Sequence, residues 1–246
     1  MSDAAVALVT NGGYGVGREI VRSLDAAGLR VAVGARPGEF DNGTLKAPEE
    51  ATTVHHGLLS SLADCARVIN EVVEQHGRID ALVCNTLRLG LSLETPLERV
   101  GSTEWDRHVA GYLSGPFYLV RAALSPMLEQ GYGRIVLVVP VEGGPGSFGQ
   151  ALMGVSSAGL MTLARRLSRE VAGRGVTVNT VVAGIVEDRF SLDDMPRDLK
   201  EQVVSSVPAG RLGHPSEVAD VVRYLCAPEA GFVTGQVIAV DGGFGA

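Results

Sequence analysis

Short apolar runs alternate with stretches of helical periodicity along this chain, and this alternation constrains the fold more than any other feature. The first run, residues 5–9, contains no polar side chain, as is typical of a strand buried on both faces. In the stretch that follows, apolar residues from Val16 to Ala27 recur at helical spacing. Because further apolar runs are separated in the same way, we expect a single α/β domain over residues 1–246, a doubly wound parallel sheet with helices on both faces.

Charge and composition exclude several classes of partner. The formal net charge of -7 argues against non-specific binding to nucleic acid. No apolar run approaches the roughly 18 residues of a membrane span, and the first residues lack the pattern of a signal peptide. Cys65, Cys84 and Cys226 lack the spacing of metal ligands and are expected to be reduced, buried thiols. We therefore predict a cytoplasmic protein that binds a small molecule, without nucleic-acid, membrane or metal partners.

A glycine-rich turn, TNGGYGVG at residues 10–17, lies between the first predicted strand and the first predicted helix. Glycines let the backbone approach a pyrophosphate, and the N-terminus of the following helix favours its negative charge. Tyr14 adds a ring inside the turn, which either lies over a cofactor or occupies its space. The turn therefore predicts a phosphate-binding site at the carboxyl end of the first strand.

Motifs spread over essentially the whole chain match one known family in order and spacing. They are WDR at 105–107, GRIV at 133–136, RGVTVN at 174–179, RLG at 211–213, TGQ at 234–236 and DGG at 241–243, with Thr10, Gly15 and Gly17 of the turn. On these motifs the sequence resembles the short-chain dehydrogenase/reductase family. The resemblance implies a Rossmann-like fold and a homodimer or homotetramer, whose main contact in the family commonly involves the helices corresponding to 102–129 and 149–172.

The resemblance also implies where a dinucleotide would bind. The family's first glycine of the turn is Asn11 here, and asparagine tolerates a left-handed backbone, so the turn is expected to survive. Arg36 matches an arginine that holds the 2′-phosphate in NADP(H)-preferring relatives, with an exposed loop arginine as the alternative. Leu87 replaces the glycine beside the nicotinamide ribose and is expected to crowd it. We therefore predict no cofactor or weakly bound NADP(H), with contacts, if one binds, from Asn11, Tyr14, Gly15, Val16, Arg36 and Asn85.

The catalytic positions of the family are changed in this sequence. Its Asn, Ser, Tyr and Lys fall at Tyr112, Pro140, Met153 and Ser157, and the AGL motif at 158–160 fixes the alignment there. A thioether and a hydroxyl in place of the phenol and the ammonium cannot do the usual acid–base work at neutral pH. The resemblance therefore implies a lost catalytic tetrad, and Met153 and Ser157 are interpreted as walls of the pocket.

Three polar residues are catalytic candidates: Tyr112, Glu142 and Asp188. Tyr112 either donates a hydrogen bond to a carbonyl or only fills space in the pocket. Glu142 is either a general base with a raised pKa or a solvated loop carboxylate, and Asp188 is either a site residue or a solvated loop carboxylate. His108 is expected on the surface of its helix.

These observations leave three hypotheses for the function. The first is a non-redox enzyme that performs a cyclisation, aldol-type closure, dehydration or isomerisation on a fairly apolar carbonyl compound. Such chemistry needs orientation and one or two acid–base groups, without hydride. The second is a non-catalytic subunit that pairs with an active homologue in a hetero-oligomer. The third is an NADP(H)-dependent oxidoreductase with an atypical proton donor, such as Tyr112.

Overall fold

The structure is a computed structural model that describes residues 4–40, 46–86, 95–141, 150–187 and 197–245. The candidate catalytic residues Glu142 and Asp188 lie outside the described residues, as does the predicted crowding residue Leu87. All other residues of the predicted site lie within the described ranges.

Seven parallel strands form one sheet in the order β3-β2-β1-β4-β5-β6-β7. They are β1 Val6–Thr10, β2 Arg30–Ala35, β3 Thr53–His56, β4 Ala81–Asn85, β5 Gly133–Pro140, β6 Val176–Ala183 and β7 Val237–Val240. This order confirms the predicted doubly wound sheet. Because the strand order reverses between β1 and β4, a crevice opens at the carboxyl ends of these two strands, where such sheets bind ligands.

Helices cover both faces of the sheet, as predicted. They are α1 Gly15–Ala26, α2 Leu62–His76, α3 Ser102–Val109, α4 Gly115–Gln130, α5 Ala151–Val171, α6 Arg197–Ser205 and α7 Pro215–Cys226. Apolar side chains of α1 and α7 form one core layer, and those of α2, α4 and α5 form the other. No helix among the described residues is long and apolar enough to cross a membrane.

The long helix predicted over 102–129 is interrupted by a π-helical turn, Ala110–Ser114, between α3 and α4. Pro116 has no N–H to bond the carbonyl of Tyr112, which accounts for a widened turn at this point. Gly115 lies so close to the segment between β3 and α2 that a Cβ atom there would be 2.1 Å from the carbonyl oxygen of Leu59. The interruption lies directly before Gly115, and it contains Tyr112.

A buried carboxylate joins the first two central strands at their amino ends. Asp80 is 2% exposed and accepts hydrogen bonds from the Nε and Nη2 atoms of Arg78, at 2.7 and 2.6 Å. It also accepts one from the backbone N–H of Val6, at 2.8 Å. Since Val6 begins β1, this carboxylate holds the start of β1 against the chain that enters β4.

We expect Asp80→Ala to lower the free energy of unfolding by about 2 kcal/mol, because it leaves the buried N–H of Val6 without a partner. Urea unfolding followed by circular dichroism measures this change. The control is Asp106→Ala, an exposed carboxylate of α3, whose effect should stay within about 0.5 kcal/mol. Equal effects of the two variants would show that Asp80 has no structural role.

Candidate active site

One cavity of about 340 Å³ lies at the carboxyl ends of β1 and β4. Its first wall comes from the glycine-rich turn and the strand ends, and includes Thr10, Asn11, Tyr14, Arg36, Asn85 and Thr86. The opposite wall comes from α3, the π turn and the start of α5, and includes Glu104, Arg107, His108, Tyr112, Gln150 and Met153. The cavity thus brings together the predicted phosphate-binding turn and the predicted catalytic candidate Tyr112.

Two asparagines hold the glycine-rich turn against the end of β4. Asn11 has a left-handed backbone with φ of 52°, which confirms the prediction that asparagine preserves the turn. Its Nδ2 atom donates to the carbonyl oxygen of Asn85 at 2.7 Å, and the Nδ2 atom of Asn85 donates to the carbonyl oxygen of Asn11 at 3.4 Å. The hydroxyl of Thr10 accepts the N–H of Asn85 at 3.0 Å.

Gly17 allows the first turn of α1 to lie directly under this pair. A Cβ atom at this position would be 2.0 Å from the carbonyl oxygen of Asn11 and 2.7 Å from the Nδ2 atom of Asn85. Gly15 begins α1 with φ of 48°, and the side chain of Tyr14 does not cap the helix. Of the predicted cofactor contacts, Gly15 and the buried Val16 form this helix start, while Tyr14 lines the cavity.

Arg36 lies beside a buried carboxylate that the sequence did not predict. The backbone N–H of Arg36 donates to Oε2 of Glu39 at 2.9 Å, and its Nε atom lies 3.9 Å from the same oxygen. The side chain of Glu39 is 4% exposed, and its Oε1 atom has no hydrogen-bond partner among the described residues. Phe40 places its ring against Gly13, where a Cβ atom would be 2.5 Å from the ring.

The chain after β3 closes one side of the cavity with Leu58 and Leu59. Asp64 accepts the N–H of Leu58 at 2.9 Å, and a hydrogen bond from Arg67 holds the pKa of this carboxyl below its usual range. The thiol of Cys65 donates to the carbonyl oxygen of Leu59 at 3.4 Å, and burial raises the pKa of this thiol to about 11. Cys65 therefore stays protonated at neutral pH and supports the wall without acting as a nucleophile.

A polar stripe on α3 and the π turn faces the cavity. It consists of Glu104, His108 and Tyr112, each four residues after the one before. The rings of His108 and Tyr112 stack with centroids 4.6 Å apart and planes at 24°. The hydroxyl of Thr95 donates to Oε1 of Glu104 at 3.2 Å. The prediction that His108 lies on the helix surface is wrong, because this face of α3 turns toward the cavity.

The remaining predicted positions lie at different depths. Met153 lines the cavity from the first turn of α5, as predicted for a pocket wall. Ser157 is only 2% exposed and packs in the interior one turn further along, so its interpretation as a pocket wall is wrong. Pro140 is half-buried at the end of β5, paired with Ala183 of β6.

Sequence reasoning missed three residues of the α3 wall: Glu104, Arg107 and His108. A signal for them exists, because polar residues four apart share one face of a helix and Tyr112 continues the same row. The sequence alone does not reveal the stripe, because the other side of α3 also carries polar residues, such as Asp106, and the two faces of the helix look alike.

Comparisons with known proteins agree with one another. The family model described as enoyl-(acyl carrier protein) reductase matches residues 12–245. The chain is 34% identical over 248 residues to the 3-oxoacyl-[acyl-carrier-protein] reductase FabG of Escherichia coli K12, which covers 98% of this chain and 97% of the relative. It is 32% identical over 238 residues to an acetoacetyl-CoA reductase of Shinella zoogloeoides, covering 97% of each. The crystal structure of a single-residue variant of actinorhodin polyketide ketoreductase with NADPH superposes with a TM-score of 0.84 and 31% identity, over 99% of this chain and 98% of the other.

These matches correct the predicted function and cofactor. The relatives are named as reductases, and the solved structure holds NADPH, so the predicted non-redox reaction is wrong. The hypothesis that this chain is a non-catalytic subunit is wrong for the same reason. The prediction of no cofactor or weakly bound NADP(H) is also wrong. The changes at Met153 and Ser157 do not exclude redox chemistry, because carbonyl reduction needs a proton source and not one particular position for it.

We expect Asn11→Ala to destabilise the protein more than Asn11→Gly. Both variants lose the hydrogen bond to Asn85, but only alanine is strained at the left-handed backbone of this position. The difference should be about 1 kcal/mol in the free energy of unfolding. Thermal unfolding of the two variants measures it, and a more stable alanine variant would contradict this account of the turn.

Proposed function

The chain belongs to the short-chain dehydrogenase/reductase family, and we propose that it is an NADP(H)-dependent reductase of a 3-oxoacyl thioester. One observation carries this proposal: a single cavity extends from the glycine-rich turn and Arg36 to Tyr112 and Met153. A cofactor bound along the turn would therefore meet a substrate beside Tyr112. The choice of a thioester substrate follows from the relatives, which are named as a 3-oxoacyl-[acyl-carrier-protein] reductase and an acetoacetyl-CoA reductase.

The residues of the first wall fit a dinucleotide phosphate. The start of α1 presents backbone N–H groups without a side-chain cap, and Gly17 brings this helix close to the end of β4. Asn11, Tyr14, Gly15 and Val16 would hold the pyrophosphate, and Asn85 would contact the ribose beyond it. Arg36 would hold the 2′-phosphate, as charge-assisted hydrogen bonds favour this pairing.

The second wall supplies the proton in this proposal. When bound, NADPH supplies the hydride that adds to the carbonyl carbon. The carbonyl oxygen then needs a proton, and we assign the hydroxyl of Tyr112 as its donor. The sequence resemblance places Met153 and Ser157 at the family's tyrosine and lysine, so this proposal assigns the donor to another position. Met153 contributes apolar surface against the acyl chain, with Gln150 beside it at the start of α5.

Four further assignments remain predictions. Glu142 and Asp188 stay candidates for additional acid–base groups near the substrate. A homodimer or homotetramer is supported by the exposed side chains of Phe117 on α4 and Val155 on α5, which are 42% and 47% exposed. A cytoplasmic location is supported by the three cysteines, which are all buried free thiols.

The reaction is tested with acetoacetyl-CoA and NADPH, followed by the loss of NADPH absorbance and by chromatography of the hydroxyacyl product. We expect turnover by the purified chain alone. We expect Tyr112→Phe to lower kcat by about 100-fold, since it removes only the donated proton. Tyr224→Phe, a 45% exposed tyrosine of α7, is the matched control and should be fully active.

Two outcomes of this assay would contradict the proposal at different points. No oxidation of NADPH with 3-oxoacyl groups on either coenzyme A or acyl carrier protein would exclude the reaction itself. Full activity of Tyr112→Phe would keep the reaction and exclude Tyr112 as the proton donor.

Cofactor selection is tested at Arg36 and Glu39. We expect Arg36→Ala to weaken NADPH binding about tenfold and to leave NADH nearly unchanged, because only NADPH carries the 2′-phosphate. Glu39→Gln should tighten NADPH binding, since the buried carboxylate beside Arg36 repels a phosphate. Calorimetry measures both, with the exposed Glu49→Gln as control. Equal effects on NADPH and NADH would contradict a 2′-phosphate site here.

A further inference from the structure

The stack of His108 on Tyr112 has no role in the chemistry described above. His108 belongs to the last turn of α3, and Tyr112 belongs to the π turn that follows it. Their rings are 4.6 Å apart at 24°, so the imidazole covers one face of the phenol. Both side chains line the cavity that also contains Met153. A π-helical turn is rare, and such turns are frequent at functional sites.

Donation of a proton leaves a phenolate, which needs a positive charge nearby. Ser157, at the position of the family's lysine, is neutral, 2% exposed and absent from the cavity wall. A protonated imidazole in contact with the ring of Tyr112 would supply that charge. It would also be attracted to the face of the phenol while the phenol is still protonated.

The charged groups around His108 lie on three sides. Glu104 is one turn earlier on the same face of α3, and its carboxylate favours the protonated imidazole. Arg107, the residue before His108, also lines the cavity, and its positive charge disfavours the protonated imidazole. Across the cavity, Arg36 lies beside the buried carboxylate of Glu39, which offsets its charge. At the N-terminal end of α5, the residues described in the cavity wall are Gln150, Leu152 and Met153, and all three are uncharged.

We propose that His108 is the positioning residue for Tyr112 and supplies the positive charge that supports its phenolate, so that carbonyl reduction depends on the protonation of His108. This inference rests on the proposed function. In the step, the hydride forms the new C–H bond and the carbonyl π electrons move to oxygen. The oxygen takes the hydroxyl proton of Tyr112, leaving a phenolate beside imidazolium, and solvent returns the proton afterwards.

The activity should depend on pH, because an imidazole loses its charge near neutral pH, whereas a lysine keeps its charge there. An unperturbed imidazole titrates near pH ~6.5, whereas an ammonium titrates near ~10.4. The value of kcat/KM for reduction should therefore be constant below the His108 midpoint and fall as pH rises through it. A tyrosine supported by a lysine would show no such fall between pH ~6 and ~8.

The experiment compares the pH profile of kcat/KM for the wild type with those of His108→Phe and His108→Lys. His108→Phe keeps an aromatic ring without the charge, and should reduce kcat/KM at low pH by about tenfold or more and remove the fall. His108→Lys carries a charge that does not titrate in this range, and should keep activity constant up to about pH 8. Asp106→Asn, an exposed residue of α3, is the control and should keep the wild-type profile.

A second readout needs neither cofactor nor turnover. The NMR titration of the His108 imidazole in the free protein, assigned by its absence in His108→Phe, should have the same midpoint as the fall in kcat/KM. Tyr112→Leu should lower this midpoint, because it removes the aromatic face that stabilises the imidazolium. Tyr112→Phe retains the face and should leave the midpoint nearly unchanged.

The outcomes separate this inference from the proposed function. A wild type that reduces no 3-oxoacyl thioester overturns both. If the wild type is active and the fall in kcat/KM with rising pH persists in His108→Phe or His108→Lys, only the proposed role of His108 is overturned. The role is also overturned if the NMR midpoint of His108 differs from the kinetic one, because another group would then control the rate.

Discussion

The two amides that join Asn11 to Asn85 set the geometry on which the rest of the site depends. They tie the glycine-rich turn to the end of β4, where the strand order reverses. The left-handed backbone of Asn11 turns the chain sharply enough for α1 to begin at Gly15. Gly17 then lies where no side chain fits, directly below the carbonyl oxygen of Asn11. One wall of the cavity thus has its position fixed by two short amide side chains, each hydrogen-bonded to a backbone carbonyl oxygen.

The opposite wall depends on a different constraint. Pro116 cannot donate a backbone hydrogen bond, and the widened turn before it separates α3 from α4. Gly115 allows α4 to approach the carbonyl oxygen of Leu59. This arrangement holds Tyr112 in the cavity wall and brings its ring onto that of His108. In the proposed function, one wall would hold the dinucleotide and the other would supply the proton, and the two walls meet at the carboxyl ends of β1 and β4.

The fold was predictable because buried parallel strands have an unbroken apolar pattern, and the run of β1 followed by the turn and α1 shows it plainly. The conformation of Asn11 also followed from its side-chain chemistry. The α3 wall did not follow, because the face of α3 that meets the cavity is decided by packing against α5 and by the π turn. The predicted reaction was wrong because it rested on Met153 and Ser157, whereas the similarity to reductases extends over essentially the whole chain.

The step that defines the proposed function is the transfer of hydride from NADPH to the carbonyl carbon of a 3-oxoacyl thioester in this cavity. Its most direct test uses NADPH carrying deuterium at C4 of the nicotinamide, with acetoacetyl-CoA as substrate and mass spectrometry of the product. We expect one deuterium at C3 of the resulting 3-hydroxyacyl thioester, delivered from one face of the nicotinamide only. A product that carries no deuterium, or a substrate that is cyclised or dehydrated without consumption of NADPH, would contradict it.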